Sequence, residues 1–328
     1  MRIDCHVHVV GNGTGGTGCW YRPRGITRWV APYLFRTLAL PRAAAEGDLD
    51  RLYAGQLLAL VRASSLDAVV ILAQDEPHDE NGTVIAGAGS FYVPNDYVLR
   101  LAREHPEFLP AVSIHPARGD ALEELERCLA QGAVMLKCLP NCQNIDWNQP
   151  RYTRFLERMA ASGLILLAHT GSERVLPVLA PHLADPRVLT RALEIGVTCI
   201  AAHCGTGMMG LDRDYFGVFV EMTLRFPRLY GDNSALASCG FRTRPAAVRK
   251  MLGPGLHERI LHGSDVPVPV TAALLCGFGI VSWRDWRRTA AVSNPLERDA
   301  QIKRAMGFGE STFTRLAGLL RSRPLVAS

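Results

Sequence analysis

Gly163-Leu164-Ile165-Leu166-Leu167-Ala168-His169 is followed, about thirty residues on, by Val197-Thr198-Cys199-Ile200-Ala201-Ala202-His203, and both runs stay largely apolar until a histidine ends them. Runs of this length, rich in aliphatic residues, read as buried strands. Working outward from this pair, similar runs recur at Arg2–Val9, Asp67–Ala73, Leu109–His115, Ala133–Leu139, Arg228–Asn233 and Arg259–Asp265, making eight in all. From the fourth onward their starts are about thirty residues apart, the length of one strand–helix unit. Between them Asp120–Gln131, Arg151–Ser162 and Ala246–Leu252 have helical periodicity, and Ile302–Leu320 reads as a closing helical region. Alternating strands and helices predict a parallel sheet, and eight repeats predict an α/β fold closed into a (β/α)8 barrel.

The rival is an open, doubly wound sheet, whose usual marker is a glycine-rich phosphate turn after the first strand. A glycine run does follow, Gly11-Asn12-Gly13-Thr14-Gly15-Gly16-Thr17-Gly18, but without the Lys-Ser/Thr of a phosphate loop or an immediate helix pattern. It reads as a flexible active-site loop, with a phosphate cradle as the alternative. The stretch from about 11 to 66 is long for a strand–helix connection. It contains an aromatic patch (Trp20, Tyr21, Trp29, Tyr33, Phe35) and a helical stretch near Leu49–Ser64. It is expected to be an insertion forming a lid. The 328 residues suit one barrel domain of roughly 250 residues plus insertions, and no linker, low-complexity tract or internal repeat divides residues 1–328.

Composition narrows the class. Hydrophobic residues make up 48% and charged residues 20%, as in soluble globular enzymes. The formal net charge is +5, but the arginines are scattered and no basic run alternates with aromatic residues, which argues against a nucleic-acid surface. The nine cysteines include Cys5, Cys138 and Cys199 inside apolar runs, a pattern that suits reduced thiols in a cytoplasmic protein. Val270–Ser282 is too short to span a bilayer, and Met1-Arg2-Ile3-Asp4 opens no signal peptide, so neither a membrane nor an export route is expected.

The chemistry is expected at the strand ends. In Asp4-Cys5-His6-Val7-His8, strand alternation aims His6 and His8 the same way, with Asp4 one layer below. Ile3, Cys5, Val7 and Val9 then form an apolar face toward the helices. His169 and His203 end the fifth and sixth runs, and Asp265 ends the eighth. In a barrel these positions converge on one mouth. Imidazoles and a carboxylate meeting there suit a divalent metal: zinc, manganese or iron.

The motif order resembles that of the amidohydrolase superfamily, and more narrowly the amidohydrolase-related group that includes aminocarboxymuconate-semialdehyde decarboxylase and its hydrolytic relatives. The resemblance implies a metal centre on His6, His8, His169, His203 and Asp265, with zinc the first choice. Its chemistry would be attack of metal-bound hydroxide on an amide, lactone or ester-like carbon of a small-molecule substrate. Asp265 would carry the proton, and His203 would be either a second ligand or the group that polarises the carbonyl. The alternative is non-oxidative decarboxylation of an aromatic or unsaturated acid. Lys137 ends the fourth run; in binuclear relatives a lysine there becomes a carbamate bridging two ions, which leaves one or two ions open here. Otherwise Lys137 is a cation for an anionic substrate group or a salt-bridge partner. Arg242 and Arg244 are candidates for a substrate carboxylate, or solvent-exposed loop charges. His115 suits a loop hydrogen bond, Glu173 a helix cap, and His78 the surface. The family also leans toward homo-oligomers.

Overall fold

Eight strands pair in parallel in chain order: β1 (Ile3–His8), β2 (Ala68–Leu72), β3 (Phe108–Val112), β4 (Met135–Cys138), β5 (Ile165–His169), β6 (Cys199–Ala202), β7 (Leu229–Asp232) and β8 (Ile260–Leu261). The computed structural model describes residues 1–23, 27–41, 47–208, 213–238 and 245–323. The sheet curls into a nearly closed barrel with helices around it. Its seam is bridged by backbone hydrogen bonds from Cys5 N to the His262 carbonyl (2.9 Å), from Asp265 N to the His6 carbonyl (2.9 Å) and from His8 N to the Val266 carbonyl (2.8 Å).

Side-chain alternation sorts the strands into two apolar layers. Ala68, Val70, Leu72, Met135, Ile165, Leu167, Ile200 and Leu261 fill the barrel. Leu136, Leu166, Cys199 and Leu229 pack outward in a second cluster beneath the helices. Strands covered on both faces are apolar almost throughout, which is why these runs stand out in the sequence. At the amino-terminal end of the strands the helix Glu310–Arg321 acts as a floor, adding Leu316 and Ala317 to the interior. A cavity of about 330 Å³ lies at that end, lined by Gly163, Thr198, Arg228 and Arg323 among others, away from the residues expected to carry chemistry. No helix among the described residues is long and apolar enough to cross a membrane.

β1 departs from simple alternation. Ile3 and Asp4 pair with Ala68 and Val69, but Val7 and His8 pair with Ile71 and Leu72, so β1 advances three residues where β2 advances two. This is a β-bulge, and it reverses the pleat. Ile3 and Cys5 therefore lie inside the barrel, while Val7 and Val9 pack outward with Leu49, Tyr53 and Leu57 of the helix Leu49–Arg62. Asp4 pairs with outward-facing Val69 and reaches His262 and Lys303, instead of sharing the face of His6 and His8. The expectation of one apolar face and of Asp4 beneath the histidines is corrected by that one extra residue.

The segment between β1 and β2 holds the ribbon strand Trp20–Tyr21, which pairs with Phe91–Tyr92, and the helices Thr27–Thr37 and Leu49–Arg62. Its glycine run is tied to a buried carboxylate: Asp50 accepts from Gly13 N (3.0 Å) and from Thr17 Oγ1 (2.6 Å). A Cβ on Gly11 would stand 1.9 Å from Asp50 Oδ1, so the close approach requires glycine. A donor already facing a carboxylate is a poor phosphate cradle, and the tie anchors a run that the sequence suggests is flexible.

Candidate metal centre

β1 brings His6 and His8 to the barrel mouth, β4 brings Lys137, β5 brings His169, and the turns after β6 and β8 bring His203 and Asp265. One ligand atom each from His6, His203 and Asp265 lies within 4.8 Å of the others. His8 Nε2 is 3.2 Å from Asp265 Oδ1, and His6 Nε2 is 3.4 Å from the same oxygen. The His6 ring centroid lies 5.2 Å from those of both His8 and His203, and the His203 centroid lies 4.9 Å from that of His169. Lys137 Nζ stands 3.2 Å from His6 Nε2. Four of the five expected ligands are thus grouped around Asp265 and His203. His169 joins them by ring contact, while its Nε2 is directed at the Ser172 carbonyl (3.1 Å) and lies 3.7 Å from Glu173 Oε2.

Two of these side chains are aimed by backbone that L-residues rarely adopt. By alternation, the residue after inward-facing Ala202 should point outward. His203 instead takes φ 61°, followed by Cys204 at φ 53°, and the imidazole returns to the mouth. Asp265 likewise has φ 65°. Such conformations cost about 1–3 kcal/mol each and persist only where the surroundings enforce them.

Asp232, at the end of β7, does much of that enforcing. It is fully buried and accepts from His6 Nδ1 (2.9 Å), His203 N (2.8 Å) and the Ser234 hydroxyl. His203 Nδ1 in turn lies 2.8 Å from Ser234 Oγ. Because Ser234 donates to Asp232, it must accept from His203. Both imidazoles therefore donate from Nδ1, an arrangement that in the neutral ring leaves the Nε2 lone pair for the site. Burial alone would raise the Asp232 carboxyl, but its partners, His6 first and then His203 and Ser234, hold it well below the usual range. Burial, and then the charge of Lys137, lower the pKa of His6, keeping it neutral and able to ligate. Burial also lowers the pKa of Lys137, against the pull of Asp265 and Asp232. Neutral imidazoles with oriented lone pairs, beside a carboxylate and a dry wall, are a donor set that fits a divalent cation.

The seam leaves no room beside this set. A Cβ on Gly263 would lie 3.0 Å from His6 Cβ and 3.3 Å from Cys5 Sγ. Gly263→Ala is expected to cost about 1–3 kcal/mol through overpacking. Thermal unfolding would show this, and a variant as stable as the parent would mean the seam yields.

The neighbouring loops are structural. His115 donates from Nε2 to the Gln143 carbonyl (2.9 Å) and accepts from Ala117 N at Nδ1 (3.2 Å), so both nitrogens serve loop packing, as the sequence suggests. His78 is buried against it at 4.8 Å between centroids, not on the surface as expected. Glu173 caps the backbone of Val175 and Leu176 in a turn, where a helix was expected. Arg242 and Arg244 lie outside the described residues. Ser234 is the site residue that sequence reasoning misses, and Asp232, legible only as an acidic residue ending the seventh run, gains its role from the fold.

Relatives share this architecture. A TIM-barrel protein of Bordetella bronchiseptica superposes with a TM-score of 0.59 at 17% identity, covering 98% of this chain and 99% of its own. A Pseudomonas putida protein assigned as a 2-pyrone-4,6-dicarboxylic acid hydrolase gives 0.57 at 15% identity, covering 98% and 97%. A Staphylococcus aureus protein assigned to the amidohydrolases gives 0.52 at 11% identity, covering 98% and 99%. At these identities the likeness is one of fold. No curated protein matches the chain in sequence. The amidohydrolase family pattern, by contrast, matches residues 3–279, which spans every barrel strand and each grouped site residue, and the chain therefore belongs to the amidohydrolase family.

Proposed function

We propose that the chain is a metal-dependent hydrolase acting on an amide, lactone or ester-like carbon. The observation that carries this reading is the grouping of His6, His203 and Asp265 within 4.8 Å, with Asp232 holding His6 Nδ1 directly and His203 Nδ1 through Ser234. His6, His8, His203 and Asp265 would hold the ion, with His169 and Lys137 on the adjoining wall. When bound, a divalent ion supplies Lewis acidity, bringing the pKa of water down to about 7 and polarising a carbonyl. Asp265, the partly exposed carboxylate of the set, accepts the proton of the attacking water and returns it to the leaving group. The lowered pKa of Lys137 favours the neutral amine, which is the form that takes up carbon dioxide as a carbamate.

One observation favours a second reading, decarboxylation. Asp265 and Asp232 pull the Lys137 pKa back up against burial, and a charged amine there, 3.2 Å from His6 Nε2, would pair with a substrate carboxylate at the mouth. Metal content separates the two. Protein grown with zinc or manganese and bicarbonate, then analysed for metal, is expected to hold about two ions per chain if Lys137 is a bridging carbamate, with turnover of amides or lactones. About one ion, with carbon dioxide released from carboxylated aromatics, would establish the decarboxylase instead. Chelation is expected to abolish activity in either case, and full activity of metal-free protein would refute both.

A further inference from the structure

On the helix side of the seam between β8 and β1 lies a second polar cluster that the proposed reaction does not use. Asp4, His262, Asp299 and Lys303 are all fully buried. Lys303 comes from the helix Pro295–Met306; its Nζ donates to Asp299 Oδ2 (2.5 Å) and to the Gly263 carbonyl. His262 stands between the two carboxylates, with Nε2 3.9 Å from Asp4 Oδ2 and Nδ1 4.0 Å from Asp299 Oδ2. Asp4 Oδ1 accepts from His6 N and from Ser264 N, both at 3.0 Å. Asp4 Oδ2, Asp299 Oδ1 and both His262 nitrogens have no hydrogen-bond partner among the described residues. Apolar residues of the same shape commonly give equal or better stability than such a set, so stability does not account for it.

Its location does. The β8 ladder stops at Leu261, four residues before Asp265, and in that gap the chain is held to β1 by a few seam bonds. Lys303 grips the gap at Gly263, and Asp4 grips it at Ser264 while also holding the β1 bulge at His6. We propose that Lys303, Asp299 and Asp4 are positioning residues for the metal centre, fixing the Gly263–Asp265 segment against β1 so that Asp265 Oδ1 stands between the Nε2 atoms of His6 and His8. The proposal rests on the metal-centre reading above.

The test is the dissociation constant of zinc, measured by chelator competition, alongside thermal unfolding of the metal-free protein. Lys303→Met alone strips Asp299 of its counter-ion and endangers the fold, so the variant of choice is Lys303→Met with Asp299→Leu, which removes that ion pair as a unit. Its metal-free form is expected to unfold cooperatively while zinc binds about tenfold or more weakly. Asp4→Ala is expected to weaken zinc similarly, and Asp4→Asn, which keeps a carbonyl acceptor for His6 N and Ser264 N, to restore most of the affinity. Parental affinity in the double variant and in Asp4→Ala would overturn the proposal and leave the cluster a purely structural one. Wild-type protein that binds no zinc would instead overturn the metal-centre reading itself, before any variant is made.

Discussion

Asp265→Asn is expected to lower kcat by a factor of about 10²–10⁴ at saturating metal on any substrate the wild type turns over, with the fold intact. The amide has the shape of the carboxylate but cannot take up a proton at neutral pH. The backbone bond from Asp265 N to the His6 carbonyl (2.9 Å) does not depend on the side chain, so the seam stays closed. Because Asp265 Oδ1 also approaches His6 and His8, metal affinity should fall as well, and rates must be compared with the variant fully loaded. A loaded variant with wild-type kcat would remove Asp265 from the proton path, and the reaction would need another base.

The second large effect is expected at a residue that would not touch the ion. In Asp232→Asn the Nδ2 group would face His6 Nδ1, setting donor against donor. His6 can relieve this by moving its proton to Nε2, which spends the lone pair that the site needs. Zinc affinity is therefore expected to drop about 10–100-fold, the range for losing a partner behind a metal ligand. The stability cost should be about 1–3 kcal/mol, since one buried donor loses its acceptor. Asp232→Ala is expected to cost more, about 3–5 kcal/mol, because the buried network is broken outright. Calorimetry with zinc on the asparagine variant decides the matter. Unchanged affinity would mean that the imidazoles are oriented by packing alone.

What could be read from the sequence follows from which interactions are local. Strands buried on both faces announce themselves by composition, so all eight are visible, and most carry a metal-competent or charged residue at or beyond the strand's end. Alternation within β1 was misread because the bulge depends on how β1 meets β2; nothing in Cys5 or His6 marks an extra residue. His78 lies in a loop, where a histidine is ordinarily solvated, and only the fold stacks it on His115. The Asp232–Ser234–His203 chain joins two strand ends about thirty residues apart and has no signature in either. The Lys303 cluster was hidden further still, in a helix that passes for one more amphipathic surface segment.

The left-handed backbone at His203 and Asp265 has a consequence for how this protein would respond to selection. Glycine occupies that region of conformational space without the steric penalty that a Cβ brings. A library screened for heat resistance alone should therefore admit glycine at position 265, where the seam bond is made by backbone, while the buried network holds His203 in place, and the winners would be robust and inert. Thermostabilising this scaffold while keeping it useful means holding those two positions fixed and seeking gains elsewhere.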